Sequence, residues 1–217
     1  MRWPRRIPSV LAMSLSGRVF AASYDRFLKG TEAAGLAAER AALLGGLTGR
    51  VLEIGGGTGL NLRHYGPGVD LTLTEPEAPM LARLQARARE VRPEAMVLRA
   101  GAEDLPFDDD SFDIVVTTLT LCTVADQASV LAEVARVLRP GGQLVFLEHV
   151  RSDDPRVARR QDRINWLNRI VAHGCNCNRT TLDALARAGY EVTDLRRSEL
   201  AKAPSFVRPL VLGRATP

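Results

Sequence analysis

At 217 residues and 46% hydrophobic, the chain can bury one sizeable core, so a single α/β domain behind an N-terminal extension is the simplest partition and no second domain is expected. The formal charge of +4 is carried almost wholly by arginine, clustered only at Arg2, Arg5 and Arg6 and at Arg151, Arg156, Arg159, Arg160 and Arg163, and with aromatic residues at 5% there is no stacking platform for nucleic acid. Cysteines 122, 175 and 177 are odd in number and two stand one residue apart, which excludes a disulfide framework and points to a reducing cytoplasm.

In chain order, the apolar run 10–15 is too short to span a bilayer and is preceded by Pro4 and Pro8; Trp3 and the arginines around it suit at most a weak membrane-surface contact. Residues 9–44 read as helix, with Val19, Phe20, Tyr24, Phe27 and Leu28 as one apolar stripe and a second helix over 33–44 after a break at Gly30, with Thr31 as its N-cap. Residues 1–44 are thus expected to form a basic tail and a helical lid across the open end of the sheet made by residues 45–217. Tyr24 and Phe27 either pack in the core or line the ligand pocket beneath that lid.

Residues 50–54 read as a buried strand that stops on Gly-Gly-Gly-Thr-Gly. From Gly55 the sixth position is Leu60, so the spacing is G-x-G-x-G, not the G-x-G-x-x-G of a dinucleotide turn, and Glu53 stands two residues before it. A helix over 60–65 ends at Gly66-Pro67-Gly68. A second strand, 69–74, finishes at Glu75, about 20 residues beyond the first glycine and placed to accept from two ribose hydroxyls.

The helix opened by Pro79-Met80-Leu81 runs to about 90, and Met80 is either a core residue or an adenine contact. Strands over 95–100 and 112–117 follow, then Thr118 to Val124 at the carboxyl end of the sheet. Asp126 caps a helix with Val130, Leu131, Val134, Val137 and Leu138 in register, and Arg139-Pro140-Gly141-Gly142 ends it before a strand over 143–147. Glu148-His149 then lies on the functional rim, where the histidine serves as a general base or as a structural hydrogen-bonder.

A basic helix covers 155–172, a helix capped by Thr180 or Thr181 runs through 188, and strands over 190–195 and 209–213 close the chain. Between them, His173, Cys175 and Cys177 offer three soft ligands, but the cysteine spacing is narrower than that of common zinc sites and a fourth ligand is not evident, so no metal is expected.

The run Val-Leu-Glu-Ile-Gly-Gly-Gly-Thr-Gly resembles the first motif of the class I S-adenosylmethionine-dependent methyltransferases. Ala-Glu-Asp-Leu-Pro-Phe with the acidic turn and Ser-Phe-Asp after it, together with Leu-Arg-Pro-Gly-Gly, is similar to their ubiquinone-biosynthesis, or type 11, branch. Thr-Leu-Thr-Leu-Cys-Thr-Val, Leu-Glu-His-Val, Gly-Cys-Asn followed by Asn-Arg-Thr, and Val-Arg-Pro resemble the methyltransferase-like thiol S-methyltransferases. The resemblance implies an α/β, Rossmann-like, seven-stranded and mostly parallel sheet with helices on both faces.

It also implies S-adenosyl-L-methionine as cofactor, with Tyr24, Glu53, Gly55, Gly56, Gly57, Thr58, Gly59, Asn61, Glu75, Pro76, Met80, Gly101, Ala102, Glu103, Thr118 and Leu119 around it. Glu53 suits the cofactor's ammonium or a water bridge to it. Gly101 stands where the family often has an adenine-binding acid, which shifts that role to Glu103 or the backbone at Ala102. Cys122, His149 and His173 are expected to face the acceptor, with His149 as the catalytic base if one is used. The acceptor implied is a small hydrophobic molecule such as an alkyl thiol, with a phospholipid or a quinone as alternatives; a catalytically silent cofactor-binding interaction module is the reading from another class. Oligomeric state is not indicated.

Overall fold

The computed structural model describes residues 15–217; Trp3, the cluster at Arg2, Arg5 and Arg6 and the start of the first predicted helix lie outside the described residues. Seven strands form one sheet: β1 (Gly49–Ile54), β2 (Val69–Thr74), β3 (Met96–Leu98), β4 (Phe112–Thr118), β5 (Leu138–His149), β6 (Glu191–Glu199) and β7 (Pro209–Thr216). Their order is β3-β2-β1-β4-β5-β7-β6, with the first five parallel and β7 antiparallel to both of its neighbours. The direction of strand order reverses between β1 and β4, so their carboxyl ends open a crevice suited to a ligand.

Strand alternation divides the core between the two faces. Leu52, Ile54, Val115, Leu144 and Phe146 pack on one, with Val130, Leu131, Val134 and Val137 of helix α4 (Gln127–Val137) and Leu185 of α6 (Thr181–Arg187). Val51, Val116, Val145 and Leu147 pack on the other, with Leu43 and Leu44 of α2 (Ala37–Leu44) and Leu84 of α3 (Ala78–Val91). Each fully buried valine or leucine contributes about 1.5–3 kcal/mol. Asp126 caps α4 as expected, its Oδ1 accepting the Ala128 N–H at 2.9 Å.

Four boundaries differ from the sequence reading. The N-terminal helix α1 (Leu15–Thr31) does not break at Thr31, which is helical and caps nothing; it continues through a π turn, Glu32–Leu36, and kinks at Gly35, where φ of 138° is open only to a residue without a side chain. Residues 60–65 do not form the expected helix. The left-handed Gly59 delays the start and extended Tyr65 stops it, leaving the single 3-10 turn Leu62–His64. Leu-Arg-Pro-Gly-Gly is not a turn before β5 but its irregular first half, with a register shift opposite Phe112 and Ile114. Thr180 takes the cap position of α6 without a side-chain hydrogen bond.

The basic helix is α5 (Pro155–Val171), close to its expected span. Among the described residues, no helix is long and apolar enough to cross a membrane.

Candidate active site

The loop after β1 turns through three left-handed glycines, Gly55, Gly57 and Gly59. At Gly55 a Cβ would stand 2.7 Å from the buried Thr120 side chain, so the tight turn itself demands glycine there. At Gly57 a Cβ would meet nothing within 4 Å. Gly57 lines a narrow cleft together with Tyr24, Arg40, Glu53, Gly55, Gly56, Thr58, Leu60, Asn61 and Thr118.

Glu53 reaches this cleft from the end of β1 and is 1% exposed. Its Oε1 accepts the Asn61 amide at 2.9 Å and its Oε2 the Tyr65 hydroxyl at 2.7 Å. Burial outweighs these two bonds and pushes its pKa up to about 7. Asn61 also donates to Thr118 Oγ1 at 2.9 Å and accepts from Arg40 at 2.6 Å; Arg40 bonds Thr118 at 3.2 Å and pairs with Glu32 at 3.0 Å. One continuous network therefore joins α2, the glycine loop and the ends of β1 and β4.

Glu75, at the end of β2, accepts the Gly57 N–H through Oε2 and the Glu77 N–H through Oε1, both at 2.9 Å. Burial raises its pKa despite those donors, and each oxygen keeps a second lone pair. Thr58 donates to Asp25 of α1, which pairs with Arg87 of α3, so α1 is held beside the loop. Pro76, Met80, Gly101, Ala102 and Glu103 follow β2 and β3 and do not line the cleft: Met80 is buried on the first turn of α3, Gly101 is half-buried, Ala102 is part of the core, and Glu103 Oε1 accepts the Ala125 N–H at 3.2 Å. Leu119 takes a left-handed φ of 56° just past β4.

Sequence reasoning missed Arg40 and Tyr65. The signal for the first was a lone arginine in the apolar run Ala37–Leu44, where a buried guanidinium requires partners; nothing local marked the second.

On the β4–β5 side of the rim, Cys122, His149 and Cys175 converge. Cys175 Sγ lies 3.6 Å from Cys122 Sγ and 3.3 Å from His149 Nε2. Cys122 is 1% and His149 3% exposed, while Cys175 is half-buried. The hydrogen bond with Cys175, and then burial, keeps the Cys122 thiol well above the ordinary range. Burial works to lower the His149 pKa, yet Cys122 and Glu148 together raise it.

The ligand trio read from sequence is taken apart by the fold. His173 stacks on Phe20 of α1 with ring centroids 4.5 Å apart, and Cys177 turns to Gln161 and Asn165 of α5. His173 itself takes a left-handed φ of 48°. Cys122 and His149 remain together, but His173 is not with them.

Residues 52–146 match the family described as a methyltransferase domain. Over 171 residues the chain is 34% identical to thiol S-methyltransferase TMT1A of Homo sapiens, covering 76% of this chain and 69% of that protein. It is also 34% identical over 127 residues to phosphatidylethanolamine N-methyltransferase of Cereibacter sphaeroides, covering 54% of this chain and 63% of that one. A SAM-dependent methyltransferase from Thermotoga maritima shares the fold with a TM-score of 0.68 at 24% identity, across 92% of this chain and 96% of its own.

The chain belongs to the class I S-adenosylmethionine-dependent methyltransferases. It is an enzyme, and its methyl donor is S-adenosyl-L-methionine. The residues present fit that donor: a buried carboxylate for a cation, a second carboxylate with free lone pairs for a diol, and open space over Gly57 for the chain that joins them.

Proposed function

We propose that this methyltransferase acts on a small hydrophobic acceptor bearing a thiol, at the pocket side formed by Cys122, His149 and Cys175. The observation that carries this reading is the 34% identity to a thiol S-methyltransferase over 76% of the chain. When bound, the donor supplies an electrophilic methyl on a sulfonium. In this reading Glu53 holds the donor's ammonium, Glu75 accepts from its ribose hydroxyls, Met80 and the Gly101–Ala102–Glu103 loop flank its adenine, and Thr118 and Leu119 border its methionine part.

α1 serves as a lid over the catalytic domain of residues 45–217, to whose core α2 contributes Leu43 and Leu44. Two contacts support the lid: Asp25 ties α1 to the donor loop, and Phe20 stacks on His173 beyond it. Tyr24 lies between these contacts and lines the cleft. Exclusion of water by α1 and alignment of the acceptor then provide most of the acceleration. A thiol near its ordinary pKa needs little help to ionise, so a dedicated base is not required; His149 Nε2 faces sulfur, which puts its role with the thiols.

A phospholipid is the second reading, favoured by one observation. On α5 the arginines 156, 159, 160 and 163 line a groove, and Trp166, Leu167, Ile170 and Val171 on the same helix are exposed, which suits weak contact with an anionic membrane surface. Release of S-adenosylhomocysteine with an alkyl thiol, phosphatidylethanolamine vesicles, a phenolic quinol or no acceptor tests both. Turnover on the thiol alone is expected; turnover on the vesicles alone would replace the thiol reading with the lipid one.

A further inference from the structure

We propose that Cys122, His149 and Cys175 form a three-ligand site for a thiophilic divalent cation, zinc by preference, with the fourth position left to a ligand from outside the chain. Their donor atoms all lie within 4.8 Å of one another. The separations of 3.6 Å between sulfurs and 3.3 Å from sulfur to Nε2 approach the spacing of about 3.5–3.8 Å that one tetrahedral zinc imposes on thiolate and imidazole ligands. Charge agrees with geometry. Two thiolates cancel a divalent cation, so the filled site is neutral, as a buried location favours.

The three ligand segments are also tied to one another by bonds outside the ligand set. Glu148, beside His149, accepts the N–H groups of Thr120 and Leu121 at 3.1 Å, which clamps the Cys122 loop onto β5. Asn176, beside Cys175, donates to the Cys122 carbonyl from its backbone at 2.8 Å and its side chain at 3.1 Å. Three segments distant in sequence are thus fixed in place by bonds that do not use the ligand atoms, the arrangement a preformed metal site needs.

Binding releases two protons: two thiols and Zn²⁺ give a zinc dithiolate and 2 H⁺. Three protein ligands and one open position is the pattern of a reactive zinc, in contrast to the closed set of a structural one. Cys175 is the half-buried member, so the open position lies on its side. An acceptor thiol filling it would lose its proton to solvent and be held as a thiolate. That last step rests on the thiol reading above; the metal site does not.

Cobalt(II) titration of the full chain under reducing conditions, followed by zinc competition, tests the site. The expected result is one equivalent bound, with thiolate-to-cobalt charge transfer and tetrahedral visible bands, displaced by zinc. The bands should be lost in Cys175→Ser, whose melting temperature and affinity for S-adenosylhomocysteine report an intact fold, and kept in Cys177→Ser. Absence of charge transfer in the wild-type protein, or its survival in Cys175→Ser, would overturn the site. An alkyl thiol should shift the cobalt bands; unmoved bands would overturn the fourth-position assignment. Thiol turnover at full rate by zinc-free protein would remove the metal from the reaction while leaving the thiol reading standing.

Discussion

The two sides of the rim are built differently. On the donor side, five residues between Glu53 and Thr58, with Leu60 and Asn61 just after them, supply most of the cleft, and the carboxylates of Glu53 and nearby Glu75 are held by hydrogen bonds at 2.7–2.9 Å. On the β4–β5 side, three side chains come from three separate segments and meet through sulfur contacts of 3.3 and 3.6 Å. A donor of fixed chemistry can be met by one short, polar, hydrogen-bonded segment. The other side is assembled from the end of β5 and two loops far apart in the sequence.

If the division is sound, the largest effect comes from filling the donor side. Gly57→Ala puts a methyl into the open space over the loop and should weaken S-adenosylhomocysteine binding about 100-fold, close to 3 kcal/mol, by calorimetry. Its cost to the fold, at a left-handed position with no neighbour to strike, should be only about 1 kcal/mol. Undiminished binding would mean that the donor lies elsewhere.

Arg40→Met should lower stability by about 3 kcal/mol in urea unfolding, since it leaves Glu32, Asn61 and Thr118 without their shared donor.

Glu53 gives the donor side a pH dependence of defined sign. Burial raises its folded pKa to about 7, so the unliganded fold prefers the protonated form. The associated stability is present below the ordinary carboxylate range and is lost as pH rises through about 7, roughly 3 kcal/mol in all. An ammonium partner requires the anion, so donor affinity should rise over the same interval in which the unliganded fold weakens. Glu53→Gln should flatten both curves; a donor affinity that falls with pH would exclude the ammonium assignment.

The smallest effect belongs to α4. Asp126→Ala removes the cap at Ala128 and the bond from Ser129, lowers the melting temperature slightly in a thermal melt, and leaves donor affinity alone.

What the sequence disclosed follows the same division. The glycine loop, Glu75 and the periodic face of α4 were legible because each is encoded within a few neighbouring residues. Arg40 was not, because a guanidinium on a helix reads as solvated until Glu32, Asn61 and Thr118 are known to surround it. Thr31 looked like a cap and Gly35 did not look like a kink, since the choice between them is made by what α1 and α2 pack against. The cluster around Cys175 was illegible for a simpler reason: its partners lie 26 and 53 residues away along the chain. The neighbouring Cys177 and His173, the obvious companions, point elsewhere.

β7 is the last of the seven strands in sequence, yet it sits between β5 and β6 and pairs Leu210 with His149. During synthesis, β5 must therefore wait with an unpaired edge until residues 209–216 have left the ribosome. The donor crevice between β1 and β4 can form well before that moment, whereas the strand bearing His149 is locked only by the final hairpin partner. The nascent chain would complete the β1–β4 crevice first and the Cys122–His149–Cys175 cluster last.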